Sequence, residues 1–153
     1  MHTVRFATWD DIPAVVALLT ELFTQEADFV PDVERQRRGV ERILERPSVG
    51  RIFVCERDAQ VVGMVSLLFS VSTAEGGPAA WLEDMVVARA HRNCGIGGAL
   101  LEHALRFAKT EGILRITLLT DRTNERAQEF YARHGFDRSG MVPMRISLKG
   151  GAG

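Results

Sequence analysis

At 153 residues, with 46% apolar and 25% charged side chains, the chain has the size and composition of one globular domain with a buried core. A formal net charge of -1 gives no bulk attraction for nucleic acid, and no apolar run approaches membrane-spanning length. Two distant cysteines, Cys55 and Cys94, make no disulfide framework, and residues 1–5 lack a leader's apolar core, so a reducing, cytoplasmic setting is expected.

In chain order, residues 4–7 read as a short strand. Asp10 or Asp11 caps a first helix with Pro13 in its first turn, and Val15, Leu18, Leu19, Leu22 and Phe23 give that helix one apolar face. Residues 24–32 form a loop, and residues 34–46 a charged helix stopped by Pro47, with a solvated face of alternating Glu and Arg. Residues 51–56 and 60–73 make a hairpin through Arg57-Asp58-Ala59, and Glu75-Gly76-Gly77-Pro78 signals a turn. A strand over 81–87 leads into a glycine-rich segment and a helix marked by Leu100, Leu101, Ala104, Leu105 and Ala108. Residues 113–120 read as a strand whose apolar content suits a buried central position. A helix over 124–134 ends at Gly135, and Phe136 and residues 144–148 supply the last strands. The order β-α-α-β-β-β-α-β-α-β-β predicts a mixed sheet flanked by helices, α/β or α+β in class. Residues 1–149 form one domain, and 150–153 a frayed tail.

The stretch 81–108 organises the chain. A strand, a glycine turn and a helix start together bring several backbone N–H groups to one anion, helped by the helix dipole. Glycines admit a phosphate without a Cβ in the way, and Arg92 adds positive charge, so the segment reads as a diphosphate cradle. The dinucleotide fingerprint fails because Leu100 stands where a third glycine is needed, and no P-loop pattern is present.

What fits is Arg92-x-x-Gly95-x-Gly97 after a strand ending in Val87. This resembles the acyl-coenzyme A signature of the GNAT N-acetyltransferase superfamily. A second block makes the match specific: Asn124, Ala127, Phe130-Tyr131 and Gly135-Phe136 look like the family's N-x-x-A-x-x-F-Y-x-x-x-G-F motif. The two blocks stand in the family's order, and the resemblance covers residues 4–148. It implies a single domain with a mixed, mostly antiparallel sheet and a V-shaped splay between two parallel strands. It also implies acetyl-CoA as co-substrate and an amine as acetyl acceptor. Met85, Val86 and Val87 would then meet the pantetheine arm through main-chain groups, as an added strand would. Arg92, Asn93, Cys94, Gly95, Ile96, Gly97 and Gly98 would hold the diphosphate. The chain departs from the usual R-G-x-G form, since Asn93 replaces glycine and Cys94 stands where a basic residue is frequent. Asn tolerates a positive φ better than most residues, which keeps the turn available.

Tyr131 matches the family tyrosine beside the CoA sulfur, giving a general acid or thiolate stabiliser; the plain alternative is a core aromatic. Asn124 caps the helix that carries it, and could also reach the pantetheine arm. Glu83 is the candidate base, directly or through water, with a surface carboxylate as the alternative. On a regular strand it shares a face with Trp81, Met85 and Val87, while Asp84 points to the other. Polyamine acetyltransferases resemble the chain at Leu82-Glu83-Asp84. His91-x-x-Cys94 is half of a metal site with no second half, so no metal is expected. Glu26, Asp28 and Asp32, with Phe29 interleaved, make an acidic loop suited to a cationic acceptor, or an ordinary solvated loop. The acceptor expected is a small primary amine, polyamine-like or amino-acid-like, with Glu26, Asp28 and Phe29 as its contacts. The rivals are a protein or peptide N-terminus or lysine as acceptor, and a non-catalytic acyl-CoA sensor. Nucleic acid and membrane are not expected as partners; a homodimer is among the open oligomeric states.

Overall fold

A computed structural model of the protein describes residues 1–26 and 29–149; Asp28 and the tail at 150–153 lie outside the described residues. The chain divides into two compact units, Met1–Asp121 and the residues from Arg122 onward. The first holds a five-stranded sheet in the order β1 (His2–Phe6), β2 (Gly50–Arg57), β3 (Gln60–Ser72), β4 (Gly77–Val87) and β5 (Ile116–Leu118). Strands β1 to β4 pair antiparallel, and β4 pairs with β5 in parallel. Helices α1 (Ile12–Gln25) and α2 (Val33–Glu45) precede β2, and α3 (Ile96–Thr110) lies between β4 and β5. The class is the expected one: α/β, with a mixed, mostly antiparallel sheet. Among the described residues, no helix is long and apolar enough to cross a membrane.

Strand alternation sorts the layers. Ile52, Val54, Met64 and Val86 join Ile12, Val15, Val16, Leu18, Leu19 and Val40 in one core beneath α1 and α2. Phe53, between Ile52 and Val54, points the other way and packs on Phe107 of α3, with ring centroids 5.3 Å apart. Both sheet faces are therefore covered, which is why the strands read as nearly continuous apolar runs. The β2–β3 turn places Asp58 and Ala59 at φ 50 and 62. Two consecutive left-handed residues give a two-residue loop the twist of its strands.

A polar clamp sets the entry into α1. The Arg5 guanidinium donates to both Asp11 oxygens at 2.7 and 3.0 Å, and to Glu56 Oε1 at 3.0 Å. Asp11 Oδ2 also accepts from the Thr8 backbone N–H at 2.7 Å. The Asp11 side chain makes no cap bond to α1, contrary to the expected cap; through Arg5 it ties β1 and Glu56 of β2 to the turn before the helix.

Two expectations about strands need correction. The strand expected over 113–120 is confined to Ile116–Leu118, and it stands last in the sheet order instead of centrally. Apolar content marks burial, but only a paired neighbour makes a strand, and β4 pairs with β5 only at Ala80–Ile116, Trp81–Thr117 and Leu82–Leu118. In the second unit, Phe136 and residues 144–148 carry no strand among the described residues, although Met144, Ile146 and Leu148 alternate. Alternation sets which side is apolar; it does not supply a ladder partner. Helix α4 (Glu125–Arg133) forms as expected. Asn124 Oδ1 accepts from Ala127 N–H at 3.0 Å to cap its start. Gly135, at φ 96, closes its end: Gly135 N–H reaches Ala132 O, and Phe136 N–H reaches Tyr131 O, both at 3.1 Å.

The clamp gives a pH-dependent stability. Arg5 and the Thr8 amide hold the Asp11 carboxyl below the usual carboxylate range. Its contribution is present above the unfolded value near 3.9 and is lost as pH falls through the folded value. Asp11→Ala should lower unfolding free energy by about 2 kcal/mol at pH 7, Arg5 being partly solvated. Urea melts should show that difference shrinking at pH 3; an equal difference at both pH values would remove the clamp from the account.

Candidate active site

The site of interest in the first unit is built around an irregularity in β4. Met85 pairs with Val65, and Leu82 pairs with Leu67, so Glu83 and Asp84 together oppose the single residue Ser66. One extra residue is a β-bulge, which bends the strand and raises its twist. Ser66 is buried, and its Oγ accepts the Asp84 backbone N–H at 3.1 Å, occupying the gap the bulge leaves in the ladder. Pairing with β5 ends at Leu82, immediately before the bulge. Beyond it, residues 83–87 of β4 have no β5 partner, which is the expected splay between the two parallel strands.

The bulge also changes which residues share a face. Val87 pairs with Gly63, which faces α3, and Met85 with Val65 two residues on, so both belong to the α3 side. Trp81 pairs with Leu68 on the opposite side, and Glu83 and Asp84 both stand across from Ser66 on that side, toward α1. The expected alternation, with Glu83 beside Met85 and Val87 and Asp84 facing away, is therefore corrected. Glu83 is exposed, whereas Asp84 is half-buried. Burial pushes the Asp84 carboxyl up to about 7, with the neighbouring charges of Glu83 and Glu26 adding to the shift.

Glu26 follows the last residue of α1, where its backbone N–H donates to Leu22 O at 3.2 Å. Its charge bears on Asp84 from the end of α1. Phe29 packs on Phe23 of α1, ring centroids 5.3 Å apart. Asp32 does different work: it caps α2 by accepting Arg35 N–H at 3.1 Å, and it pairs with the Arg35 guanidinium. Asp28 lies outside the described residues.

The cradle loop leaves the end of β4. Ala88 N–H donates to Val62 O at 2.8 Å, and Arg89 N–H to Glu21 Oε1 at 3.2 Å. Arg92 Nε donates to Val87 O at 3.1 Å, so part of its guanidinium fastens the loop to the strand end. Asn93 and Gly95 take φ 62 and 79. Gly95 O accepts Ala99 N–H, the first bond of α3, so the amides of Ile96, Gly97 and Gly98 precede the helix ladder. Arg92, Asn93, Cys94 and Gly95 are exposed, and a Cβ placed on Gly95 would meet nothing within 4 Å. Ile96 is buried and anchors this helix start. A Cβ on Gly63 would come within 2.9 Å of Leu100 Cδ1 and 3.2 Å of Ile96 Cγ2. Gly63 thus lets α3 press directly on β3. Glycine inside an apolar strand pattern was the available signal for this contact.

In the second unit, Tyr131 is half-buried on α4 between Phe130 and Phe136, with centroids 5.3 and 5.6 Å away. Asn124 spends its Oδ1 on the helix cap. Among the described residues, no group of three or more His, Cys, Asp or Glu side chains is placed to hold a metal ion.

Comparison with known proteins bears on this arrangement. An uncharacterized N-acetyltransferase of Methanocaldococcus jannaschii is 28% identical over 142 residues, covering 92% of this chain and 63% of that protein. The chain therefore spans less than two thirds of that relative's length. The aminoalkylphosphonate N-acetyltransferase of Salmonella typhimurium is 30% identical over 136 residues, 89% of this chain and 85% of that protein. Among solved structures, an integron cassette protein from the mobile metagenome of Cole Harbour Salt Marsh has a TM-score of 0.83 at 27% identity, covering 97% of this chain and 91% of its own. The model of the acetyltransferase (GNAT) family matches residues 13–136, a span that takes in the bulged strand, the cradle loop and the capped helix of Tyr131. The chain belongs to the acetyltransferase (GNAT) family.

Proposed function

We propose that residues 1–149 act as an N-acetyltransferase domain that moves an acetyl group from acetyl-CoA to the primary amine of a small molecule. Acetyl-CoA is the acetyl donor general to the family. The observation that carries this reading is the helix start at Gly95. Two positive-φ residues and an exposed loop lead into three amides ahead of the α3 ladder, beside a strand end without a β5 partner. These features fit an anion followed by an extended amide-bearing arm.

Gly95, Ile96, Gly97 and Gly98 would hold the diphosphate through backbone N–H groups, with Arg92, Asn93 and Cys94 shaping the approach. Met85, Val86 and Val87 would present main-chain groups to the pantetheine amides. Val87 O, already engaged by Arg92, supports orientation at that end. Acetyl-CoA, when bound, supplies the activated acyl group. An alkylamine near its reference pKa of about 10.4 is almost all ammonium at neutral pH, so a proton must leave before the nitrogen can attack. Glu83, directly or through water, lies on the strand that would carry the base. Tyr131 Oη is assigned as proton donor to the leaving sulfur; the support is its motif, Asn124 to Phe136. Glu26 and Phe29 are assigned to the acceptor. The carboxylates at the bulge favour a polyamine-like or amino-acid-like cation.

Release of free thiol from acetyl-CoA across a panel of small amines tests the reading, followed by mass identification of the product. Tight acetyl-CoA binding with no amine-dependent thiol would instead support a sensor. Gly97→Glu should weaken acetyl-CoA binding at least tenfold by calorimetry, since it adds bulk and negative charge at the amides; unchanged affinity would mean the cradle is misplaced. Gly63→Ala should lower both melting temperature and acetyl-CoA affinity by displacing Ile96 and Leu100. Tyr131→Phe should lower kcat on the order of tenfold or more while leaving acetyl-CoA affinity intact; normal turnover would end the proton-donor assignment.

A further inference from the structure

We infer that Trp81 is the residue that selects the acceptor, and that the acceptor is an arylalkylamine whose ring lies on the indole while its ammonium meets the carboxylates of the bulge. This rests on the acetyl-transfer reading and deepens it: the acids choose a cation, and Trp81 chooses the body that carries it. Trp81 pairs with Leu68, and Glu83 and Asp84 stand across from Ser66, all on the same side of the sheet. Two residues of strand separate Trp81 from Glu83, about 6.6 Å, a distance suited to an ethyl linker between ring and nitrogen.

Trp81 stands apart from the strand around it. Ala79, Ala80 and Leu82 are at most 4% exposed, whereas Trp81 is 41% exposed. On the α3 side Phe53 and Phe69 each pack on Phe107, but among the described residues no ring packs on Trp81. The backbone beneath it is held from both sides, by Leu68 of β3 and Thr117 of β5. Pairing with β5 ends one residue later, so Trp81 is the last large apolar side chain on the α1 side before the strands part. A ring fixed on a doubly paired strand is a pre-organised platform.

Charge divides this face. The acids stand at the bulge, whereas the residues flanking Trp81 on its side, Leu68, Thr117 and Ala79, are uncharged. A second ammonium over the indole would gain the attraction of the ring's face but would have no carboxylate of its own. A ring laid there takes its own apolar surface, and that of Trp81 and the half-buried Leu68, out of water. It also adds the offset-stacking attraction between two aromatic faces. The surface therefore fits an acceptor that is charged at one end and flat and apolar at the other.

The test measures thiol release from acetyl-CoA with phenethylamine, tryptamine, butylamine and putrescine, in wild type, Trp81→Ala and Trp81→Phe. Wild type should favour the two arylethylamines over butylamine and putrescine by about tenfold or more in kcat/KM. The gain should come mostly as a lower KM, since the ring is held alike in the ground and transition states. In Trp81→Ala that preference should disappear, and Trp81→Phe, which keeps a ring, should retain part of it. Proton NMR gives a readout independent of turnover, because the chain's two tryptophans, Trp9 and Trp81, give separate indole N–H signals that Trp9→Phe assigns. Phenethylamine should move the Trp81 signal saturably and leave that of Trp9, in the turn before α1, in place. Putrescine preferred over the arylethylamines, a preference unchanged in Trp81→Ala, or equal shifts of both indoles would overturn the assignment while leaving acetyl transfer standing. Absence of thiol release with every amine would strike the underlying reading instead, and the indole signals would still report whether the ring is bound. The wild-type panel and those signals decide the matter even if Trp81→Ala does not fold.

Discussion

The hydrogen bond from the Asp84 amide to the buried Ser66 hydroxyl makes the bulge in β4 affordable. An extra residue leaves a ladder position unpaired, and a backbone amide buried without an acceptor costs about 1–3 kcal/mol. Ser66 supplies the acceptor from the neighbouring strand, at a position where an aliphatic residue of the same run could not. With the amide satisfied, β4 can bend away after Leu82, and its pairing with β5 ends there. The same extra residue turns Glu83 and Asp84 to one side. Strand separation and paired carboxylates are two consequences of one local irregularity.

The helix start at Gly95 depends on a different constraint, the closeness of α3 to the sheet. Ile96 and Leu100 sit directly over Gly63, which pairs with Val87 at the end of β4. A Cβ at Gly63 would press on the side-chain ends of Leu100 and Ile96 and on Val86 O. The loop from Ala88 to Gly95 is then pinned at three points: Ala88 on Val62, Arg89 on Glu21, and Arg92 on Val87. Its exposed residues stand between ends that are held, which is the condition for pre-organised amides.

The electrostatics of the unit divide along the same lines. Where acids serve the fold they are given donors, as Asp11 is by Arg5 and Asp32 by Arg35. At the bulge Glu26 comes toward Glu83 and Asp84, and among the described residues no donor reaches the Asp84 carboxyl. Like charges gathered around a partly desolvated acid oppose its ionisation and raise its carboxyl.

Much of the architecture was legible in the residues. The apolar spacing of Val15, Leu18 and Leu19 marks α1, Asp58-Ala59 falls at the hairpin turn, and Asn124 and Gly135 bracket α4. The spacing of Arg92, Gly95 and Gly97, with the second block through Gly135-Phe136, identifies the family because these signals are local. Helix caps, left-handed turns and periodic faces are decided within a few residues of chain. Tertiary structure alone decided the rest. That Glu83 and Asp84 share a side follows from a partner strand lacking one residue, and alternation within β4 cannot record that. The short extent of β5 depends on where β4 stops offering a partner. The contrast between Asp84 and Asp11 arises from what Glu26 and Arg5 bring from elsewhere in the chain. Faces and caps belong to a segment, whereas register and the charge around a carboxyl belong to the segments it meets.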